Sequence, residues 1–211
     1  MPPRDPNARG ARRSKDDVVD AALVLLDRVG LPDLSMRRLG EELGVQPSAL
    51  YWHVASKQEL LAAVSARILA PVALRDGDPD DLERAAVTLG RRLHDRLLAH
   101  RDGAEVVSSS LALGLVASPV HDGLRTIDDS PAADVVADAV THYVVGVTFH
   151  EQQRRAADAW GTAASTVVLS PESATEPAPD AFEAALALIA RGITPWRADI
   201  GRPPDAAAPG A

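Results

Sequence analysis

Three consecutive side chains, Tyr51, Trp52 and His53, are the part of this sequence best suited to contact a ligand. The chain contains three tryptophans, two tyrosines and two phenylalanines, and two of these aromatics are adjacent here. Leu50 and Val54 are one helical turn apart, so if both face a core, Tyr51 and Trp52 must point largely outward. Two large aromatics are unfavourable on a free surface, and the arrangement makes sense if a ligand covers them.

The surrounding segment, residues 34–61, predicts two short helices joined by a tight turn. Ser35 is typical of a helix N-cap, Gly44 of the left-handed residue that ends a helix, and Pro47 of a first helical turn. Basic side chains flank the second helix at Arg37, Arg38 and Lys57. A helix held in this way by a companion is the major-groove reader of helix-turn-helix proteins. We therefore expect this surface to bind DNA.

The net charge of −8 by itself opposes DNA binding, but the distribution of charge along the chain does not. Residues 1–15 carry a net charge of +4, residues 16–60 a net charge of −4, and the remaining residues a net charge of −8. We expect the DNA-binding region to be basic on one face only. The acidic remainder would repel DNA and help to orient the molecule.

The composition also limits the cellular compartment. Cysteine is absent, which excludes disulfides, thiolate metal sites and cysteine nucleophiles and fits a reducing cytoplasm. No uninterrupted apolar run follows the basic N-terminus, and the longest uncharged stretch, 106–120, is shorter than the ~18 apolar residues of a membrane span. We expect a soluble, cytoplasmic protein with no membrane partner.

Helical signals extend along the whole chain, and the predicted fold class is all-α. Ser14 with Asp17 forms a capping-box start for a first helix that ends at Gly30, and Ser56 with Glu59 opens a fourth helix that runs to about residue 70. The buried face of the first helix is predicted to comprise Val18, Ala22, Leu26 and Val29. Further helices are predicted over 80–100, 103–116, 119–128, 132–158 and 180–193.

Residues 11–72 resemble the N-terminal domain of tetracycline-repressor-type (TetR family) regulators. The matching motifs are LSMRRLGEELGV, LYWHV and SKQELL, and LYWHV is similar to the tetracycline-repressor branch itself. A looser resemblance continues through residues 98–104 and through His142-Tyr143, Gly146 and His150-Glu151-Gln152. The resemblance implies a helical homodimer with two DNA-binding heads and a C-terminal four-helix interface that also houses a small-molecule pocket.

By position, the residues that correspond to DNA contacts in the family are Arg37, Pro47, Ser48, Ala49, Tyr51, Trp52, His53 and Lys57. Their chemistry is suited to DNA contact. Arg37 can donate two hydrogen bonds to guanine or to phosphate, Ser48 can bind a phosphate, and Lys57 can bind the DNA backbone. The implied domains are a disordered basic arm (1–13), a helix-turn-helix domain (12–72, motif at about 35–54), an effector-binding and dimerisation domain (73–197) and a flexible tail (198–211).

Three positions depart from the tetracycline-repressor branch. Pro47 replaces a polar glutamine, so the DNA sequence read should differ. Val107 stands where the branch has the histidine that holds tetracycline-bound magnesium, and His150 stands where it has a carboxylate on the metal side. Valine cannot ligate a metal. We therefore expect no metal, no other cofactor, and an inducer other than tetracycline–magnesium.

The effector pocket is predicted between helices 103–116 and 132–158, with a mostly apolar lining that favours an apolar compound carrying one or two hydrogen-bonding groups. The predicted lining comprises Val107, Leu111, Val140, His142, Val147, Phe149 and His150.

The resemblance implies a repressor released from a near-palindromic operator by a small molecule. A related activator, or a regulator that senses no effector, is the alternative within the same class.

A helical-bundle enzyme using His142 and His150 is the alternative from another class. These two histidines are about 12 Å apart along one helix and cannot chelate one metal. His150 begins a near miss of the H-E-x-x-H zinc motif, with Arg154 in place of the second histidine. No catalytic residues are predicted.

Overall fold

The computed structural model describes residues 14–159 and 181–200, with side chains described as far as residue 198. Over these residues the chain is helical without strands, which confirms the predicted all-α class. The predicted basic arm (1–13) and the predicted tail beyond residue 200 lie outside the described residues. The helices are α1 (Lys15–Val29), α2 (Met36–Leu43), α3 (Pro47–Leu50), α4 (Lys57–Leu69), α5 (Leu82–Leu98), α6 (Gly103–Ala112), α7 (Pro119–Ile127), α8 (Pro131–Ala159) and α9 (Ala181–Ile200).

Local sequence signals determine where the first helices begin. The Ser14 hydroxyl accepts from the backbone N–H of Asp17 at 3.1 Å, and the Asp17 carboxylate accepts from the N–H of Ser14 at 2.7 Å. The predicted capping box of α1 is therefore present. At α4 the Ser56 hydroxyl caps as predicted, but the carboxylate of Glu59 accepts from the N–H of Ala55 instead of Ser56. A turn of 3-10 helix, Ala70–Val72, follows α4.

α8 is the central helix of the C-terminal half and packs against α5, α6, α7 and α9. By length and composition alone it could cross a membrane, with a mean hydropathy of 1.2 over its most apolar window. Because one side of α8 packs against four helices, its apolar composition is that expected of a core helix. Its buried apolar side chains are Ala133, Val136, Ala137, Val140 and Val144.

Two helices of the C-terminal half end where the sequence did not predict. α6 stops at Ala112 instead of residue 116, because Gly114 adopts a φ of 64° and the N–H of Leu115 bonds back to the carbonyl of Ser110. α9 continues through Pro195 to Ile200, beyond the predicted end at 193 and into the segment predicted as a tail. The partly buried Trp196, beyond this proline, packs against the core, which offsets the backbone hydrogen bond that proline removes.

An ion pair fixes the loop between α4 and α5. The Arg92 guanidinium donates to both carboxylate oxygens of Asp78, at 2.6 and 2.7 Å, and to the carbonyl of Ala73 at 3.0 Å. The hydrogen bonds from Arg92 and from the backbone N–H of Arg75 hold the pKa of Asp78 below its ordinary value. The carboxylate is therefore stabilised more in the folded chain than in the unfolded chain.

This pairing predicts a pH dependence of stability. Asp78→Asn should lower the free energy of unfolding at pH 7. The free energies of unfolding of the variant and the wild type should converge as the pH falls from about 4 through the lowered pKa of Asp78. The reason is that the wild-type carboxylate then also loses its charge. Chemical denaturation across this pH range measures the free energy of unfolding. Asp76→Asn is the matched control, because Asp76 is exposed. A difference that stays constant from pH 7 to pH 2 would contradict this account.

Candidate DNA-binding surface and effector cavity

The aromatic pair is exposed as the sequence predicts. Leu50 and Val54 are each 1% exposed, whereas Tyr51 is 51% and Trp52 89% exposed. The helix that carries them is shorter than predicted, because α3 ends at Leu50 and the next three residues form a turn. In that turn the N–H groups of His53 and Val54 both bond the carbonyl of Leu50. The reading surface is thus one helical turn followed by an aromatic turn.

Close backbone contact with α2 fixes the position of α3. Gly40 in α2 is buried, and a Cβ atom added there would lie 2.9 Å from the carbonyl oxygen of Val45 and 3.3 Å from the nitrogen of Pro47. The N–H of Val45 also bonds the carbonyl of Gly40 at 2.9 Å. Gly44 ends α2 in the predicted left-handed conformation, with a φ of 66°. Sequence reasoning assigned Gly44 its role but missed Gly40, whose position inside a helix was the available signal.

The predicted DNA-contact residues all have exposed or partly buried side chains. Arg37 is 80% exposed and lies 3.6 Å from Glu41, a surface pair of the kind that contributes little and exchanges easily. Arg38 pairs with Asp33 at 3.1 Å. Lys57 makes no ion pair within the described part of the chain. Arg37 and Lys57 are therefore the cations of this surface most available to an incoming phosphate or base.

A polar junction joins the end of α1 to the α5–α6 turn, residues 99–102. The carboxylate of Asp27 accepts from the backbone N–H of Arg101 at 3.1 Å and lies 3.1 Å from Nδ1 of His100. In the opposite direction, Asp102 accepts from the N–H of Leu31 at 2.7 Å. These contacts, here called the head junction, attach the helix-turn-helix head to the C-terminal half.

Gln152 of α8 holds the same turn from the other side. Its amide nitrogen donates to the carbonyls of Leu97 and His100 at 2.9 and 2.8 Å, and its amide oxygen accepts from the N–H of Ala104 at 3.1 Å. A second buried contact links α4 to α6, where the Ser65 hydroxyl lies 2.8 Å from that of Ser110. Sequence reasoning assigned none of these residues a role, because each partner is more than 40 residues distant in sequence.

A cavity of about 550 Å³ lies between α6, α7 and α8. Of the predicted pocket residues, Leu111 and His142 line it. Val107 and Val140 are fully buried core residues instead. The others do not line it: Val147 and Phe149 are partly buried, His150 is exposed, and the rings of Phe149 and His150 are 6.1 Å apart. The prediction omitted α7, which contributes a wall of the cavity.

The polar groups of the cavity come mainly from α7 and α8. Nε2 of His121 lies 3.1 Å from Oδ1 of Asp138. Arg125 donates to both carboxylate oxygens of Asp134, at 2.6 and 2.7 Å, which holds the pKa of Asp134 below its ordinary value. Among residues 14–159 and 181–198, no three histidine, aspartate or glutamate side chains are grouped so that they could hold a metal ion. His142 and His150 do not share a site.

Known proteins resemble this chain in sequence and in structure. The family model for bacterial regulatory proteins of the tetR family matches residues 18–64. The tetracycline repressor protein class C of Escherichia coli is 33% identical over 200 residues, which cover 87% of this chain and 91% of that protein.

Solved structures also resemble this chain in fold and in sequence. Mycobacterium smegmatis BioQ has a TM-score of 0.73 and 37% identity, covering 87% of this chain and 99% of BioQ. BioQ with its double-stranded DNA operator has a TM-score of 0.66 and 36% identity, covering 86% and 98%. A TetR variant from Acinetobacter baumannii AYE in complex with minocycline has a TM-score of 0.68 and 25% identity, covering 94% and 100%.

The contact between α2 and α3 predicts different outcomes at two glycines. Gly40→Ala should lower the melting temperature and displace α3, because its Cβ would press on the backbone of the following turn. Gly44→Asn should change stability little, because nothing lies within 4 Å of its Cβ position and asparagine tolerates the left-handed conformation. Thermal unfolding of the two variants tests this. Equal melting temperatures for Gly40→Ala and wild type would contradict the close approach.

Proposed function

This chain belongs to the TetR family of bacterial regulatory proteins and is a DNA-binding transcriptional regulator, and we propose that it acts in the cytoplasm as a homodimeric repressor that a small-molecule effector releases from its operator. The exposed Tyr51-Trp52 pair at the end of α3 carries the DNA-binding part of this proposal. The cavity between α6, α7 and α8 carries the effector part.

In the proposed complex, the N-terminal end of α3 and the aromatic turn enter the major groove. Tyr51 and Trp52 contact bases or sugar, and Arg37 exchanges its surface pair with Glu41 for a guanine edge or a phosphate. Lys57 and Ser48 bind phosphates and set the register of the head. The remaining predicted contacts are Pro47, Ala49 and His53.

A second copy of the chain supplies the second head. Val135 of α8 and Leu188 of α9 are 52% and 72% exposed, although both are large and apolar. A dimer formed through α8 and α9 would cover them and supports the four-helix interface that the sequence resemblance implies. Two heads would then read half-sites about one helical turn, or ~34 Å, apart on a near-palindromic operator.

The geometry offers a route from the cavity to the heads. Val116, Ala117 and Asp122 line the cavity and also line a crevice of about 470 Å³ that reaches Ala63 and Ala66 of α4. An effector in the cavity therefore contacts a segment that packs beside α4, the helix that leads into the head. A change in head spacing would prevent both heads from docking together, and operator affinity would fall through loss of bivalent binding.

DNA contact by this surface is testable by substitution. Arg37→Ala and Tyr51→Ala should each weaken binding to the regulator's own upstream DNA by about 1–3 kcal/mol, with helicity and dimerisation unchanged. Fluorescence anisotropy at fixed salt measures the affinity. Arg84→Ala is the matched control, because Arg84 is a similarly exposed arginine of α5 that pairs with Asp80 and Asp81, just before that helix. Wild-type affinity in both head variants would show that another surface binds the DNA.

The effector proposal predicts induction without a metal. In a panel of candidate compounds that includes minocycline, any compound that releases the operator should act equally with and without EDTA. The physical reason is that apolar Val107, fully buried, replaces a metal-binding histidine. Electrophoretic mobility shift measures release. Release by minocycline only when magnesium is present would contradict the prediction and restore a tetracycline-like mode of induction.

A further inference from the structure

Thr141 of α8 has an unusual environment for a helical threonine. It is 7% exposed and lines the cavity between α6, α7 and α8, and its hydroxyl has no hydrogen-bond partner in the described part of the chain. By contrast, the hydroxyls of Thr88 and Thr148 each bond a carbonyl in the preceding turn, that of Arg84 at 2.9 Å and that of Val144 at 2.7 Å. A buried hydroxyl without a partner is costly, and a ligand in the cavity would supply the missing bond.

His121 lines the same cavity and also contains an unpartnered polar atom. Its Nε2 lies 3.1 Å from the carboxylate of Asp138, and its Nδ1 is buried without a partner among the described residues. An ionised carboxylate can only accept a hydrogen bond, so Nε2 carries a proton. In the neutral tautomer Nδ1 is an acceptor, and a hydrogen-bond donor on a ligand would satisfy it.

The charges around the cavity favour a cation. Asp122 lines the cavity and makes no side-chain hydrogen bond or ion pair within the described residues, and its charge acts on Arg125 only from a longer distance. Arg125, the arginine of the lining, is already bound through two hydrogen bonds to Asp134. With Asp138 also in the lining, the cavity contains more negative than positive charge. An anionic ligand would meet repulsion here, whereas a cationic donor would be attracted.

We propose that this cavity binds a mostly apolar compound that carries one protonated amine. The ammonium group donates to the carboxylate of Asp122, to Nδ1 of His121 and to the Thr141 hydroxyl. The apolar body packs on side chains such as Leu111 and Val145. A volume of about 550 Å³ is in the range of drug-sized ligand sites. This assignment names the chemical class of the effector and rests on the proposed function.

Three probes with one aromatic skeleton test the assignment: naphthylethylamine, naphthylethanol and naphthylacetate. Isothermal titration calorimetry with the full chain should show the amine binding about tenfold more tightly than the alcohol, with the carboxylate weakest, since one charge-assisted hydrogen bond accounts for roughly that ratio. Asp122→Asn should remove this preference while leaving affinity for the alcohol unchanged. Thr141→Val should weaken the amine several-fold.

Two variants serve as matched controls, Asp129→Asn and Thr148→Val. Asp129 is a charged neighbour of Arg125 that does not line the cavity, and the Thr148 hydroxyl already has a partner. Both should bind the amine as wild type does. Equal affinities for the three probes, no measurable amine binding at millimolar concentration, or equal losses in test and control variants would each overturn the assignment.

A parallel mobility shift with the same probes separates this assignment from the proposed function. Amine binding that depends on Asp122 but leaves the operator bound would support the cavity assignment and overturn the effector role. Operator release by the alcohol and the carboxylate as readily as by the amine would overturn the cavity assignment and support the effector role.

Discussion

The position of the DNA-binding head depends on two carboxylates at the head junction. Asp27, near the end of α1, holds the α5–α6 turn, and Asp102, within that turn, holds the backbone of Leu31. Asp102 adopts a φ of 55°, a conformation that is unfavourable for most non-glycine residues and least so for Asn and Asp. Gly30 permits the approach, because a Cβ atom there would lie 2.9 Å from the Asp102 carboxylate. Apart from these contacts, the head is connected to the rest of the chain through α4 and through the Arg101 side chain, which donates to the carbonyl of Arg28 at 3.3 Å.

The head junction is also connected to the proposed effector site through helices that contact both. Gln152 ties the α5–α6 turn to α8, and α8 also contributes Thr141 and His142 to the cavity. α6 begins at that turn and ends beside the cavity, so a ligand there contacts both helices that hold the head. In the proposed mechanism, packed helices respond to such a contact by changing between discrete arrangements, and a small local displacement would thereby change the spacing of the two heads.

Short-range patterns in the sequence were sufficient to predict the helix-turn-helix head. The caps at Ser14 and Ser35, the stop at Gly44 and the outward direction of Tyr51 and Trp52 each depend on neighbours within a few residues. The pairing of His121 with Asp138 and the contribution of α7 to the cavity depend on tertiary packing, which periodicity does not encode. For that reason only Leu111 and His142 of the predicted pocket line the cavity. The DNA contacts themselves stay a prediction.

A distance measurement between the two heads tests the central claim, that the head junction fixes head spacing in a dimer. The chain lacks cysteine, so Gln58→Cys, in the exposed first turn of α4, provides one spin-label site per protomer. Double electron–electron resonance on the dimer should give a narrow distribution on operator DNA, consistent with half-sites ~34 Å apart. Adding Asp102→Ala should broaden and shift the distribution in the free dimer, whereas Asp76→Ala should leave it unchanged. An Asp102→Ala distribution identical to that of the intact junction would contradict the account.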